Sequence, residues 1–244
     1  MKGASRLFVL VACAISMRSL AAHAEAPRLF DRMTTVAELF EPAEAAALAR
    51  TLPADRPVHF RMRLPRDEHP GVLVFVRPDD SGEPPGGWDA LLEQRNLIWI
   101  SAVGYGNRLP TAQRMLVAVM GLKLAQREAQ LDPRRRYVGG MSGGGRVASQ
   151  LASRFPRLVT GALYVVGADF WTRDQRALQP LIVANRYVFV TGTKDFNRAE
   201  MRKVFARYQQ AGAMHSLLLD LPGLGHSYPD AAQLERALEF LDAN

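Results

Sequence analysis

Ser142 lies in Gly139-Gly140-Met141-Ser142-Gly143-Gly144-Gly145, where a short apolar strand (Tyr137-Val138) turns directly into a helix from Arg146. A serine hydroxyl is a weak nucleophile until a base stands beside it. The spacing Gly140-x-Ser142-x-Gly144 suits a serine on a tight, strained strand-to-helix turn, whose neighbours must be small so that chain segments can pass closely. The turn also places the Gly143 amide at a helix N-terminus, where an N–H group can stabilise a developing oxyanion. A phosphate-binding glycine loop is the competing reading and fits poorly. The segment has no Gly-Lys-[Ser/Thr] end, and Gly140, Gly143 and Gly145 miss the dinucleotide spacing, which belongs after the first strand of a domain.

The matching base is sought among the histidines. His226, in Gly223-Leu224-Gly225-His226-Ser227-Tyr228-Pro229, follows the last expected strand and precedes the last helix, so a flexible loop can carry its imidazole over a neighbouring strand end. His59 falls inside an edge strand, His69 in a charged turn and His215 just before a strand, all poorer settings. A carboxylate is then needed to fix the imidazole tautomer. Asp195, in Thr191-Gly192-Thr193-Lys194-Asp195-Phe196-Asn197, begins at the C-terminal end of a strand and is the first choice. Asp169 after the preceding strand is the rival, and Asp220 lies within a strand. Helix capping is the alternative role for Asp195.

The elements that must hold these residues alternate strand and helix. Gly71 to Val76 and Leu97 to Val103 are continuous apolar runs, as expected of buried parallel strands, while Val58 to Leu64 alternates and reads as a half-buried strand near a sheet edge. Arg136 to Gly139, Gly161 to Val166, Tyr187 to Thr191 and His215 to Leu221 are further strands. Helices are expected over Phe40 to Leu52, Thr111 to Gln130, Ala199 to Gln210 and Asp230 to Leu241, with another around Ser149 to Phe155. This pattern predicts an α/β fold with a mostly parallel central sheet covered by helices on both faces. No repeat or linker divides it, so residues 25–244 are expected to form one domain.

Taken together, the chain order Ser142, Asp195, His226, each residue on a loop after a strand, resembles the α/β-hydrolase superfamily. The span from about Gly71 to the C-terminus is most similar to small secreted esterases related to polyhydroxybutyrate depolymerases and feruloyl esterases. The resemblance rests on Gly140-Met141-Ser142-Gly143-Gly144 and the Gly225-His226 loop. It implies a serine hydrolase that cleaves small-molecule or polymeric carboxylic esters through an acyl-enzyme, with no cofactor and no metal. One departure stands out. The family usually has His-Gly after its third strand, where the backbone gives the second oxyanion donor; here the residues are Arg77-Pro78, and Pro78 has no N–H. Arg77 is the substitute donor, with Asp79 as an alternative.

Substrate contacts are less defined. Trp88, Tyr105, Phe170, Trp171 and Tyr228 lie near strand ends or site-side loops and are candidates for an aromatic pocket, with ordinary packing as the other reading. Arg108, Arg173 and Arg198 are candidates for a substrate carboxylate, or simply solvated charges. No insertion is long enough for a large helical lid, which argues against a long-chain triglyceride lipase. A peptidase of the same fold, or a non-catalytic binding protein on the same scaffold, are the alternative functions.

The formal charge of the 244 residues is +7. Lys2, Arg6 and Arg18 fall in the first 24 residues, which contain no acid, so without that stretch the excess is +4. This mild excess does not point to nucleic acid. Lys2 and Arg6, the apolar stretch Leu7 to Met17 and Ala22-His23-Ala24 read as a signal peptide over 1–24, too short for a stable membrane span. The expected destination is the periplasm or secretion. Leu10-Val11-Ala12-Cys13 resembles a lipobox and offers lipid anchoring through Cys13 as the alternative. Cys13 is the one cysteine, so cleavage after Ala24 leaves neither a thiol nucleophile nor a cysteine-based metal site.

Overall fold

A computed structural model describes residues 28–243. The expected leader over 1–24, with Cys13 and the cleavage site after Ala24, lies outside the described residues. Strands β1 (Arg28–Thr34), β2 (Val58–Leu64), β3 (Gly71–Val76), β4 (Leu97–Ala102), β5 (Arg136–Met141), β6 (Gly161–Val165), β7 (Arg186–Gly192) and β8 (Ser216–Leu221) form one sheet in the order β1-β2-β4-β3-β5-β6-β7-β8. β1 runs antiparallel to β2 and β2 antiparallel to β4, and every later pairing is parallel.

Helices α1 (Val36–Leu39), α2 (Pro42–Leu48), α3 (Asp89–Gln94), α4 (Thr111–Glu128), α5 (Gly143–Arg154), α6 (Gln179–Ala184), α7 (Arg198–Gln210) and α8 (Ala231–Asp242) connect or cover these strands. The two sheet faces bury separate cores. Val72 and Val74 of β3 meet Leu116, Val117 and Met120 of α4 on one side, whereas Leu73 and Phe75 meet Leu91 and Leu92 of α3 and the Leu163 side of the sheet on the other. Successive strand residues point to opposite faces, so a strand covered on both must be apolar throughout. This is why Gly71 to Val76 shows no alternation.

Two sequence expectations differ from the structure. β2 lies near the sheet edge, one strand in, and is not itself the edge strand expected to hold His59, because β1 pairs along its whole length from Arg28↔Leu64 to Thr34↔Val58. The helix expected over Phe40 to Leu52 is shorter: α2 ends at Leu48, preceded by the separate turn α1 with its Thr35–Glu38 capping box. Between β6 and β7 the chain makes only a 3-10 turn, Arg173–Leu178, and the short α6. Among the described residues, no large lid is inserted. Among the described residues, no helix is long and apolar enough to cross a membrane.

Candidate active site

The parallel strands β5, β7 and β8 end on the same side of the sheet, and each passes into a loop carrying one of the polar residues of interest. β5 ends at Met141 and α5 begins at Gly143, so Ser142 alone makes the turn. Its backbone has φ 56° and ψ −121°. A non-glycine residue held there costs of the order of 1–3 kcal/mol. The strain is held from both sides: the Ser142 N–H donates to the Val165 carbonyl at 2.8 Å, and its carbonyl accepts the first helical bond from Arg146 N–H at 3.1 Å. Close approach explains the glycine two residues on, since a Cβ at Gly144 would be driven into the Val76 carbonyl oxygen at the end of β3.

His226 Nε2 lies 2.9 Å from Ser142 Oγ, and His226 Nδ1 lies 2.9 Å from Asp195 Oδ1. The Asp195 side chain has no solvent exposure, whereas the imidazole keeps 22%. Burial of a carboxylate is costly unless its lone pairs are used. Here Thr191 Oγ1 donates to Oδ2 at 2.8 Å and the Asn197 N–H donates to Oδ1 at 3.1 Å, beside the imidazole. Asn197 is itself fixed by its Nδ2, which donates to the Val166 carbonyl at 2.8 Å. With Asp195 as acceptor, Nδ1 carries the ring proton and Nε2 is left to accept from the serine hydroxyl.

The rival groups are engaged elsewhere. The Asp169 carboxylate accepts from Arg146 at 3.2 Å and Gln150 at 2.8 Å. Asp220 is paired with Arg198 and Arg202 of α7. His59 faces Asp31 across the β1–β2 pair at 3.1 Å, and His69 and His215 are exposed. Arg108 pairs with Asp80 at 2.6 Å.

Gly143 is the first residue of the 12-residue helix α5, so its N–H points out of a helix N-terminus beside Ser142. Arg77 directly follows β3, whose last carbonyl touches the elbow at Gly144. The Arg77 guanidinium turns away, donating to both Asp79 oxygens at 2.8 and 2.7 Å and to the Glu83 carbonyl. This cation holds the Asp79 carboxyl well below the usual carboxylate range.

The aromatic candidates separate into different roles. Trp88 is fully buried, its Nε1 donating to the Pro229 carbonyl at 2.9 Å, and it offers no surface to a substrate. Tyr228 stands edge-on to Trp88 at 5.9 Å with the Arg77 guanidinium over its ring at 5.1 Å. Trp171 is buried against Phe170 and Tyr208, at centroid distances of 4.1 and 4.8 Å. Tyr105 is half-buried beside a small cavity behind Arg77. The aromatic ring that does lie on the imidazole is Phe196, which sequence reasoning passed over although it directly follows Asp195. Among the described residues, no group of three or more His, Cys, Asp or Glu side chains is placed to hold a metal ion.

No protein-family model matches the chain, and no curated protein is similar to it in sequence. Solved structures do resemble it. S-formylglutathione hydrolase from Staphylococcus aureus superposes with a TM-score of 0.65 at 13% identity, covering 88% of this chain and 96% of that one. A feruloyl esterase module from Clostridium thermocellum gives 0.57 at 12%, covering 88% and 87%. Dipeptidyl peptidase 4 from Porphyromonas gingivalis gives 0.56 at 15% over 76% of this chain, but only 33% of its own length is matched. At these identities the likeness establishes architecture, and the architecture is the α/β-hydrolase fold.

Proposed function

We propose that the protein is a serine hydrolase of carboxylic esters, working through an acyl-enzyme on Ser142. The observation that carries this reading is the unbroken contact from the Ser142 hydroxyl through His226 to buried Asp195, two links of 2.9 Å each, on a strained elbow. His226 takes the hydroxyl proton as Oγ attacks the ester carbonyl, and Asp195 stabilises the imidazolium that forms. The Gly143 and Arg77 N–H groups receive the oxyanion, each donor lowering the barrier by about 3 kcal/mol. His226 then protonates the leaving alcohol, and water activated by the same imidazole releases the acid.

Esters are favoured over peptides because S-formylglutathione hydrolase and the feruloyl esterase module match along 96% and 87% of their lengths, while the peptidase carries a large remainder with no counterpart here. With only a 3-10 turn and the short α6 between β6 and β7, no large lid is available among the described residues to restrict the reading to long-chain lipids, which suits small or polymeric esters. Export to the periplasm or medium after cleavage behind Ala24, with lipidation at Cys13 as the other route, belongs to the same proposal; the mass of the protein's mature N-terminus tests it. Activity is tested by turnover of short p-nitrophenyl esters against dipeptide p-nitroanilides. Ester turnover alone supports the reading, peptide turnover alone replaces it with the peptidase, and turnover of neither favours a binding protein.

A further inference from the structure

Arg114 occupies an unfavourable position. It is in the first turn of α4, where the positive end of the helix dipole repels a cation, and it is 4% exposed. Among the described residues, no carboxylate makes an ion pair with it; burial alone pulls its pKa down, and an arginine nonetheless stays charged. A buried cation in such a place needs other partners. It has three, all backbone carbonyls: Nη2 donates to Arg77 at 3.0 Å, Nε to Tyr105 at 3.1 Å, and Nη1, more loosely, to Gly143 at 3.4 Å.

Two of those three carbonyls belong to the residues assigned above as oxyanion donors. Because the peptide after Arg77 is an X–Pro bond, Pro78 has no N–H to tie that turn to a neighbouring strand. Its own carbonyl is held by the Asn107 N–H at 2.9 Å, in the same loop as Tyr105. One rigid planar guanidinium thus joins the end of β3, the start of α5 and the 105–107 loop. Resting on the ester hydrolase reading, we propose that Arg114 is a positioning residue of the oxyanion hole: it fixes Arg77 and Gly143 relative to each other and places an uncompensated positive charge behind them. A negative charge develops there only in the tetrahedral state, so the contribution falls on kcat and leaves substrate binding nearly untouched.

The test compares the parent with Arg114→Met, which keeps the side-chain bulk but loses the charge and every donor, and Arg114→Lys, which keeps the charge and loses the planar fork. Steady-state kinetics on p-nitrophenyl butyrate are read beside the affinity for an alkyl trifluoromethyl ketone, whose adduct with Ser142 carries the oxyanion. Thermal melts establish folding. The methionine variant is expected to lose about 100-fold in kcat with KM within about threefold, and to lose ketone affinity in parallel, with lysine restoring part of both. A folded methionine variant with kcat within threefold of the parent, or with KM raised and kcat and ketone affinity unchanged, overturns the assignment. Should the methionine variant not fold, the lysine variant decides: lowered kcat and ketone affinity at unchanged KM support it, and parental values overturn it. A parent that neither turns over esters nor takes a fluorophosphonate on Ser142 brings down the esterase reading and this assignment together, whereas an active parent beside an equally active variant brings down this assignment alone.

Discussion

Phe196 lies flat on the imidazole of His226, with ring centroids 4.0 Å apart and planes inclined by 24°, while 77% of the phenylalanine stays exposed. One face of the ring shields the base from water and the other is presented to the surroundings. Because so little of Phe196 is buried, Phe196→Ala is expected to change folding stability by less than about 0.5 kcal/mol. Loss of a stacking surface worth about 0.5–1.5 kcal/mol should instead lower kcat/KM for aryl esters several-fold, more than for simple alkyl esters. Parallel steady-state kinetics on the two ester types, with a denaturation curve for the variant, check this.

The two carboxylates near the site should separate cleanly by mutation. Asp195→Asn keeps the shape but loses the charge that stabilises the imidazolium, and a single amide oxygen cannot accept at both positions as the carboxylate does for His226, the Asn197 N–H and Thr191. A fall in kcat of about 10⁴-fold is expected. Asp169→Asn breaks a half-buried pair with Arg146, which keeps its second partner Glu200 at 2.6 Å, so about 1 kcal/mol of stability or less and no large change in kcat are expected. Similar kcat values for the two variants would contradict the assignment.

Trp88 supports the His226 loop from beneath through its bond to Pro229 and its edge contacts with Phe75 and Tyr228. Trp88→Ala should cost about 3–5 kcal/mol of folding stability. Trp88→Phe retains most of the packing and removes the indole N–H, leaving the Pro229 carbonyl short of a partner at a cost of about 1–3 kcal/mol. Urea denaturation of both variants tests the order.

Burial pushes the Tyr228 hydroxyl up to about 12, helped by Asp79 and opposed by the Arg77 cation. Its ordinary value is 10.0. The folded state therefore favours the neutral phenol, so this contribution is complete below pH 10, declines as the unfolded chain begins to ionise, and is gone above about pH 12. Tyr228→Phe cannot ionise, and its stability between pH 10 and 12 should fall less steeply than the parent's, by up to one proton's worth of slope. Chemical denaturation across that range measures the difference.

Much of this architecture is legible in the chain because its signals are local. Continuous apolar runs such as Gly71 to Val76 identify strands buried on both faces, and a serine between glycines at a strand-to-helix turn identifies the elbow. β1 escapes that logic. Arg28–Thr34 has no clean alternation, and Leu29 and Met33 stay exposed, because the strand is held by pairing with β2 and by ion pairs such as Arg61–Asp31. Trp88 reads as either a pocket aromatic or ordinary packing until the fold brings Pro229, 141 residues away, onto its indole N–H. Arg114 carries no sequence signal for the same reason, since its three carbonyl partners come from elements that only the tertiary structure assembles.

An activated Ser142 is a target for reagents that modify serine nucleophiles. A fluorophosphonate applied to the purified protein and to Ser142→Ala, with the adduct located by peptide mass, tests it most directly. One adduct is expected, on Ser142, in the parent and none in the alanine variant. A folded parent that takes no adduct, or an alanine variant labelled as readily as the parent, would contradict it.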